Sequence, residues 1–380
     1  MKKLLKVVLA ALMVLSLAGC GGDTTTDAGE DKLKVVMLLP QLGDQSYFDT
    51  MKRGFDRAQA KHPEIEMKCV EVGMLGAEAT CTEADWTNAY DEYCEGGEYD
   101  LVISANDTYE KFLYEAAKKY PDQMFVNCDA SNIDTSCKNV ISSQFGLDDL
   151  GYVVGALMSA LTTTKKVGVV VGMDNQVMSQ WIGGWCQVLA EKGVEYFVAY
   201  PNSWTDTALG KEVTEKMIEA GADVVWAVAG GLGNGVIDAC SGHEGVWAVG
   251  VDQDQYVQFK ESNPTWANSI ITSALKNTDQ VIETVVDWLA DGTLASHMGE
   301  TKVWGIPDNG VGIAENDFYN ANVSAEIKAD VAATLQKVKD GEVKVYDALL
   351  EETAESYKTN WPTHFNAKRL ELAYTPAAAQ

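Results

Sequence analysis

The chain is 380 residues long, 46% hydrophobic and 22% charged, with a formal net charge of −27 at pH 7. That length exceeds one ordinary hydrophobic core and predicts two lobes. So acidic a surface repels nucleic acid and anionic lipid headgroups, and nucleic acid is not an expected partner.

Residues 1–20 read as a leader outside the fold. Lys2, Lys3 and Lys6 precede an apolar run from Val7 to Leu17, about the length of a signal-peptide core. Leu17-Ala18-Gly19-Cys20 follows. Small residues before a cysteine resemble the lipobox of bacterial lipoproteins, in which that cysteine takes up lipid. Residues 21–32 hold no large apolar side chain and predict a flexible tether. No later apolar run approaches the roughly 20 residues that span a bilayer. The expected location is the extracytoplasmic face of the cell membrane, with lipid on Cys20 as the anchor.

From residue 34 onward, short runs rich in Val and Ile alternate with amphipathic helical patterns. Strands are predicted over 34–39, 66–72, 101–104, 124–128, 140–143, 167–171, 196–200, 224–228, 246–251, 269–272 and 302–305. Most are continuously apolar, as expected when helices cover both faces of a parallel sheet. Stripes such as Phe48, Met51, Phe55 and Ala58, or Ile282, Val285, Val286 and Leu289, mark the core faces of helices. This order predicts doubly wound α/β lobes. A tail from about 347 to 380 either packs on a lobe or projects from it.

The seven cysteines after Cys20 form no CxxC pair, and four scattered histidines have no metal-ligand spacing. No metal, cofactor or catalytic constellation is predicted. Proximity makes Cys81 with Cys94, and Cys128 with Cys137, candidate disulfides.

Ligands of open α/β sheets bind beyond the carboxyl ends of strands. Several such ends are polar, aromatic or glycine-rich here. They are Gly43-Asp44-Gln45-Ser46-Tyr47-Phe48, Ser104-Ala105-Asn106-Asp107, Gln180-Trp181, Ala229-Gly230-Gly231-Leu232-Gly233-Asn234-Gly235, Asp252-Gln253-Asp254-Gln255 and Thr272-Ser273-Ala274-Leu275-Lys276. Core packing accounts equally well for Tyr47 or Trp181 taken alone, and helix capping for Asp44, Asp107 or Asp252. Their shared edge is what singles them out. A dinucleotide-binding reading of 224–252 is disfavoured, because Val236 stands where the third glycine of GxGxxG belongs.

These motifs resemble the basic membrane protein family of ABC-transporter substrate-binding lipoproteins, whose characterised members bind purine nucleosides. The resemblance runs from about Lys34 to Val345. It implies a type I periplasmic-binding fold, with two Rossmann-like lobes joined by three crossovers around a ligand cleft. The first lobe would comprise 33–143 with about 272–305, and the second 144–271 with about 306–346. It also implies no enzymatic activity, a small-molecule ligand of the nucleoside class, and a membrane permease as partner.

Position by position, Asp252 and Lys276 match residues that hold ribose hydroxyls, the two serving as each other's counter-charge. Trp181 matches a base-stacking phenylalanine, with Tyr47 opposite it, so the two would clamp a flat ring as the lobes close. Gly230 and Gly231 would line the cleft with backbone. Asp44, Asn106 or Asp107 would read the base edge, beside Ser46 of the Asp-x-Ser loop. The family's Asp-x-Ser-Phe-Asn reads Asp44-Gln45-Ser46-Tyr47-Phe48, and its Gly-x-Gly-Phe reads Ser104-Ala105-Asn106-Asp107. These departures leave open a different base, a sugar or another heterocycle. A sensory ligand-binding module remains the alternative to a transport component.

Overall fold

The computed structural model describes residues 32–351 and 368–374. The predicted leader, Cys20 and residues 21–31 lie outside them. In chain order the strands are β1 (Lys34–Leu39), β2 (Glu66–Glu71), β3 (Leu101–Ser104), β4 (Met124–Asn127), β5 (Val140–Phe145), β6 (Lys166–Val171), β7 (Glu195–Ala199), β8 (Val224–Val228), β9 (Trp247–Asp252), β10 (Ile270–Lys276), β11 (Thr301–Trp304), β12 (Val311–Ile313) and β13 (Arg369–Leu370). Every strand read from the sequence is present. The added β12 and β13 are three and two residues long, too short to carry a pattern.

Two sheets result. One has the order β11-β5-β4-β3-β1-β2, the other β12-β10-β9-β8-β6-β7-β13. All neighbours are parallel except β10 and β12. Val35–Leu39 and Val224–Val228 are buried throughout, because helices cover both faces of each sheet. The molecule is thus α/β, with the two lobes of the type I periplasmic-binding fold.

One lobe boundary differs from expectation. β10 lies wholly in the second sheet, so the chain returns to the first lobe after Lys276 rather than at about 272. The helix Thr278–Ala290 then packs on the first-lobe helix Tyr47–Lys61. The remaining crossovers follow β5 and β11. The crossover after β11 is hydrogen-bonded to both of the others: Gly146 N–H donates to Trp304 O (3.1 Å) and Asn277 N–H to Gly310 O (2.9 Å). This hydrogen-bonded band is the natural hinge between lobes.

The described part of the tail packs on the second lobe. β13 pairs with β7, and Tyr200 N–H donates to Tyr374 Oη at 2.6 Å. An edge strand is thereby covered. No candidate disulfide forms: all seven cysteines from Cys69 to Cys240 are free thiols. Cys94, Cys128 and Cys137 are instead buried as small apolar side chains.

Candidate functional site

The carboxyl ends of both sheets face a shared cavity of about 290 Å³ between the lobes. The first lobe lines it with Asp44, Tyr47, Met74, Asn106, Asp107 and Asp129. The second contributes Met173, Trp181, Trp204, Gly230, Gly231, Asp252 and Lys276. The topology explains this convergence, since β1, β3 and β4 end together in one sheet and β6, β8, β9 and β10 in the other. Of the ten residues expected to hold the ligand (Asp44, Ser46, Tyr47, Asn106, Asp107, Trp181, Gly230, Gly231, Asp252 and Lys276), only Ser46 stands behind the wall rather than on it.

Lys276 closes β10 with its side chain 2% exposed. Its ammonium forms an ion pair with Asp129, not with Asp252 as expected. Three rings surround the charge, with Nζ 4.9 Å from the centre of Phe145, 5.1 Å from Tyr47 and 5.5 Å from Trp181. A desolvated ammonium is stabilised both by a carboxylate and by the negative faces of aromatic rings. Burial pushes the Asp129 carboxyl up, while Lys276 opposes the shift.

Asp252 ends β9 and accepts a hydrogen bond from Ser46 Oγ across the cleft. Its φ is +64°, and Gln253 N–H donates to Val251 O at 2.7 Å. That makes a tight γ-turn centred on a non-glycine residue, a strained conformation that holds the carboxylate over the cavity. Burial pushes its carboxyl up to about 7, with Ser46 and Lys276 opposing. Asp107 is likewise raised to about 7, by burial and then by Asp129 and Glu110. The Asn106 side chain accepts from Thr108 N–H at 3.2 Å.

Asp44 behaves as a cap. Its carboxylate accepts from the backbone N–H groups of Ser46 (3.1 Å), Phe48 (2.9 Å) and Asp49 (3.1 Å), which opens the helix Tyr47–Lys61. Tyr47 donates its hydroxyl to Ala105 O at 2.7 Å, which fixes the ring between β1 and β3.

The expected clamp of Trp181 against Tyr47 is not the arrangement found. Trp181 is 2% exposed and meets Trp226 edge to face, with centroids 5.9 Å apart. Its position follows from close helix packing. A Cβ on Gly151 would lie 2.2 Å from Trp181 O, so only glycine lets the helices Leu147–Leu161 and Gln176–Glu191 approach so nearly. Trp181 is therefore a core residue that shows one face to the cavity floor.

The half-buried second-lobe ring is Trp204, on the loop after β7. It lies against Gly172 and Gly230. A Cβ on Gly172 would fall 2.4 Å from the indole, and one on Gly230, whose φ is +53°, 3.5 Å from it. Sequence reasoning missed Trp204 and Asp129, although both lie just beyond strand ends. Phe145 was missed as well, as the last residue of β5, two positions past the expected strand end. Among the described residues, no cluster of His, Cys, Asp and Glu is placed to hold a metal ion.

Comparison with known proteins agrees with this architecture. A solved ABC-transporter solute-binding protein from Aeropyrum pernix K1 superposes with a TM-score of 0.72 at 20% identity, covering 88% of this chain and 98% of its own. The CD4+ T-cell-stimulating antigen of Listeria innocua is 27% identical over 90% of this chain and 96% of its own length. The ABC transporter nucleoside-binding protein BmpA of Lactococcus lactis is 28% identical over 69% of this chain and 75% of its own. Residues 32–348 match the family described as ABC transporter substrate-binding protein, PnrA-like. With most of its length matched, the chain belongs to that family of solute-binding proteins.

Proposed function

We propose that this protein captures a nucleoside in the interlobe cavity and presents it to the permease of an ABC importer, while lipid on Cys20 holds it to the outer face of the membrane. The observation that carries the ligand class is the division of the cavity. Asp252, Asp129 and Lys276 form a charged floor, and Tyr47 and Trp204 are aromatic surfaces from opposite lobes. A nucleoside is flat at one end and polyhydroxylated at the other. Its diol can donate to a carboxylate and accept from an ammonium, and both bonds are stronger than neutral ones. Its base can stack on the rings. The cavity, near the lower end of the roughly 300–1,000 Å³ range of small-molecule sites, suits one such molecule rather than a polymer. The similar Lactococcus protein, named as nucleoside-binding, supports the same class.

The test is mass spectrometry of whatever co-purifies with soluble residues 21–380. Titration of the stripped protein with inosine, guanosine, adenosine and their 2′-deoxy forms would follow. A ribonucleoside in the extract, and riboside binding that exceeds deoxyriboside binding, are the expected results. A sugar in the extract, with no response to any nucleoside, would refute the assignment.

A further inference from the structure

On the first lobe, the loop after β2 turns through the short 3-10 segment Gly76–Glu78, and its residues Met74, Leu75 and Gly76 line the cavity. Glu78 at its end reaches across to the second lobe. One carboxylate oxygen accepts from Ser203 Oγ (2.5 Å), Thr205 Oγ1 (2.7 Å), Thr205 N–H (3.2 Å) and Trp204 N–H (3.3 Å). The other oxygen accepts from Trp204 N–H at 3.2 Å. Four donors from three consecutive residues thus converge on a single side chain more than a hundred positions away in sequence. The same three residues are tied into their own lobe. Asp206 N–H donates to Ser203 Oγ (2.9 Å), and Leu232 N–H donates to Trp204 O (2.7 Å).

We propose that Glu78 is the clasp of the cleft: its carboxylate locks the lobes together and sets the Trp204 ring over the bound ligand. The physical case is the accounting of donors. If the lobes part about the hinge, Glu78 leaves all four donors at once, and they must be resolvated together. Hydrogen bonds to a charged acceptor are the strong ones, so the clasp favours the closed state over the open one. It acts on the Trp204 backbone rather than on the ligand, which makes Glu78 a positioning residue. It can slow ligand escape without contributing a ligand contact. This part of the proposal rests on the reading that the cavity holds a small ligand; the lock between lobes does not.

Hydrogen exchange followed by mass spectrometry on soluble residues 21–380 separates the two. In wild type the amides of Trp204 and Thr205, which donate to Glu78, should be protected. In Glu78→Ala, peptides covering 203–206 should exchange at least tenfold faster, while core strands and melting temperature stay as in wild type. Glu78→Gln, which keeps an acceptor oxygen but no charge, should fall between. Stopped-flow dissociation of whichever of inosine, guanosine or adenosine the wild type binds should be about tenfold faster in Glu78→Ala. Unchanged exchange at 203–206 in Glu78→Ala would overturn the clasp, even if no nucleoside bound. Faster exchange with unchanged dissociation would overturn its role in ligand retention. Failure of wild type to bind any of the three would instead refute the nucleoside reading, with the exchange arm still deciding the clasp.

Discussion

Replacing Asp129 by alanine strips the Lys276 ammonium of its ion-pair partner in a site where the two side chains are 2% and 12% exposed. Removing one member of a buried pair costs about 3–5 kcal/mol, because the survivor keeps its desolvation penalty without the compensating charge. Two features pull this toward the lower bound. The three rings around Nζ remain, each able to contribute roughly 0.5–2 kcal/mol. The Asp252 carboxylate also lies near enough for Lys276 to stabilise its charge. The expected loss for Asp129→Ala is therefore about 3 kcal/mol, read by urea unfolding of ligand-free residues 21–380. The double variant Asp129→Ala/Lys276→Met removes both charges and leaves a thioether chain among the rings. It should recover to within about 1 kcal/mol of wild type, since apolar replacement of a buried pair is often neutral. It should nevertheless bind no nucleoside. A single variant as stable as wild type, or a double variant no more stable than the single, would refute the idea that Asp129 neutralises Lys276.

The two cavity tryptophans should separate cleanly. Trp181→Ala should lose about 3–5 kcal/mol of stability as a core truncation, whereas Trp204→Ala should melt near wild type and bind ligand roughly tenfold more weakly, the loss of about one stacking contact. Equal melting temperatures for the two would contradict their assignment. Burial raises Asp107, Asp148 and Asp252 from an ordinary 3.8 to about 7, and Asp149 to about 6. The folded state therefore holds protons that the unfolded chain releases near pH 4, so stability should fall as pH rises toward 7, with the loss complete above 7. Melting of the ligand-free protein should accordingly occur at lower temperature at pH 8 than at pH 5.5, and Asp107→Asn should flatten the trend; a rising curve would contradict it. Full-length protein should enter the detergent phase on partitioning, and Cys20→Ser should remain in the aqueous phase; identical behaviour would rule out the lipid anchor.

The alternation of apolar strands and amphipathic helices was legible because the central strands, such as β1, β3 and β8, are buried on both faces. Val35–Leu39 carries no polar side chain, and a helix-covered parallel sheet is the usual home for such a run. The edge of those sheets where chemistry would gather was legible too, since polar, aromatic and glycine residues cluster just after the strands. What one dimension could not supply was pairing across the cleft. Asp129 and Lys276 are 147 residues apart, and they meet because β4 and β10 end in different sheets that the hinge turns toward each other. Asp252 looked like the natural counter-charge, but the contact across the cleft gave it Ser46 instead. Likewise, Trp181 and Trp204 both follow strand ends. Which of them is core depended on Gly151 letting two helices touch, and which stays open depended on Gly172 and Gly230 leaving room for the other ring. Local pattern follows from side-chain period and burial, which neighbouring residues encode. The identity of each partner in the cavity follows from how two lobes close, and that is settled only by the packing of the whole chain.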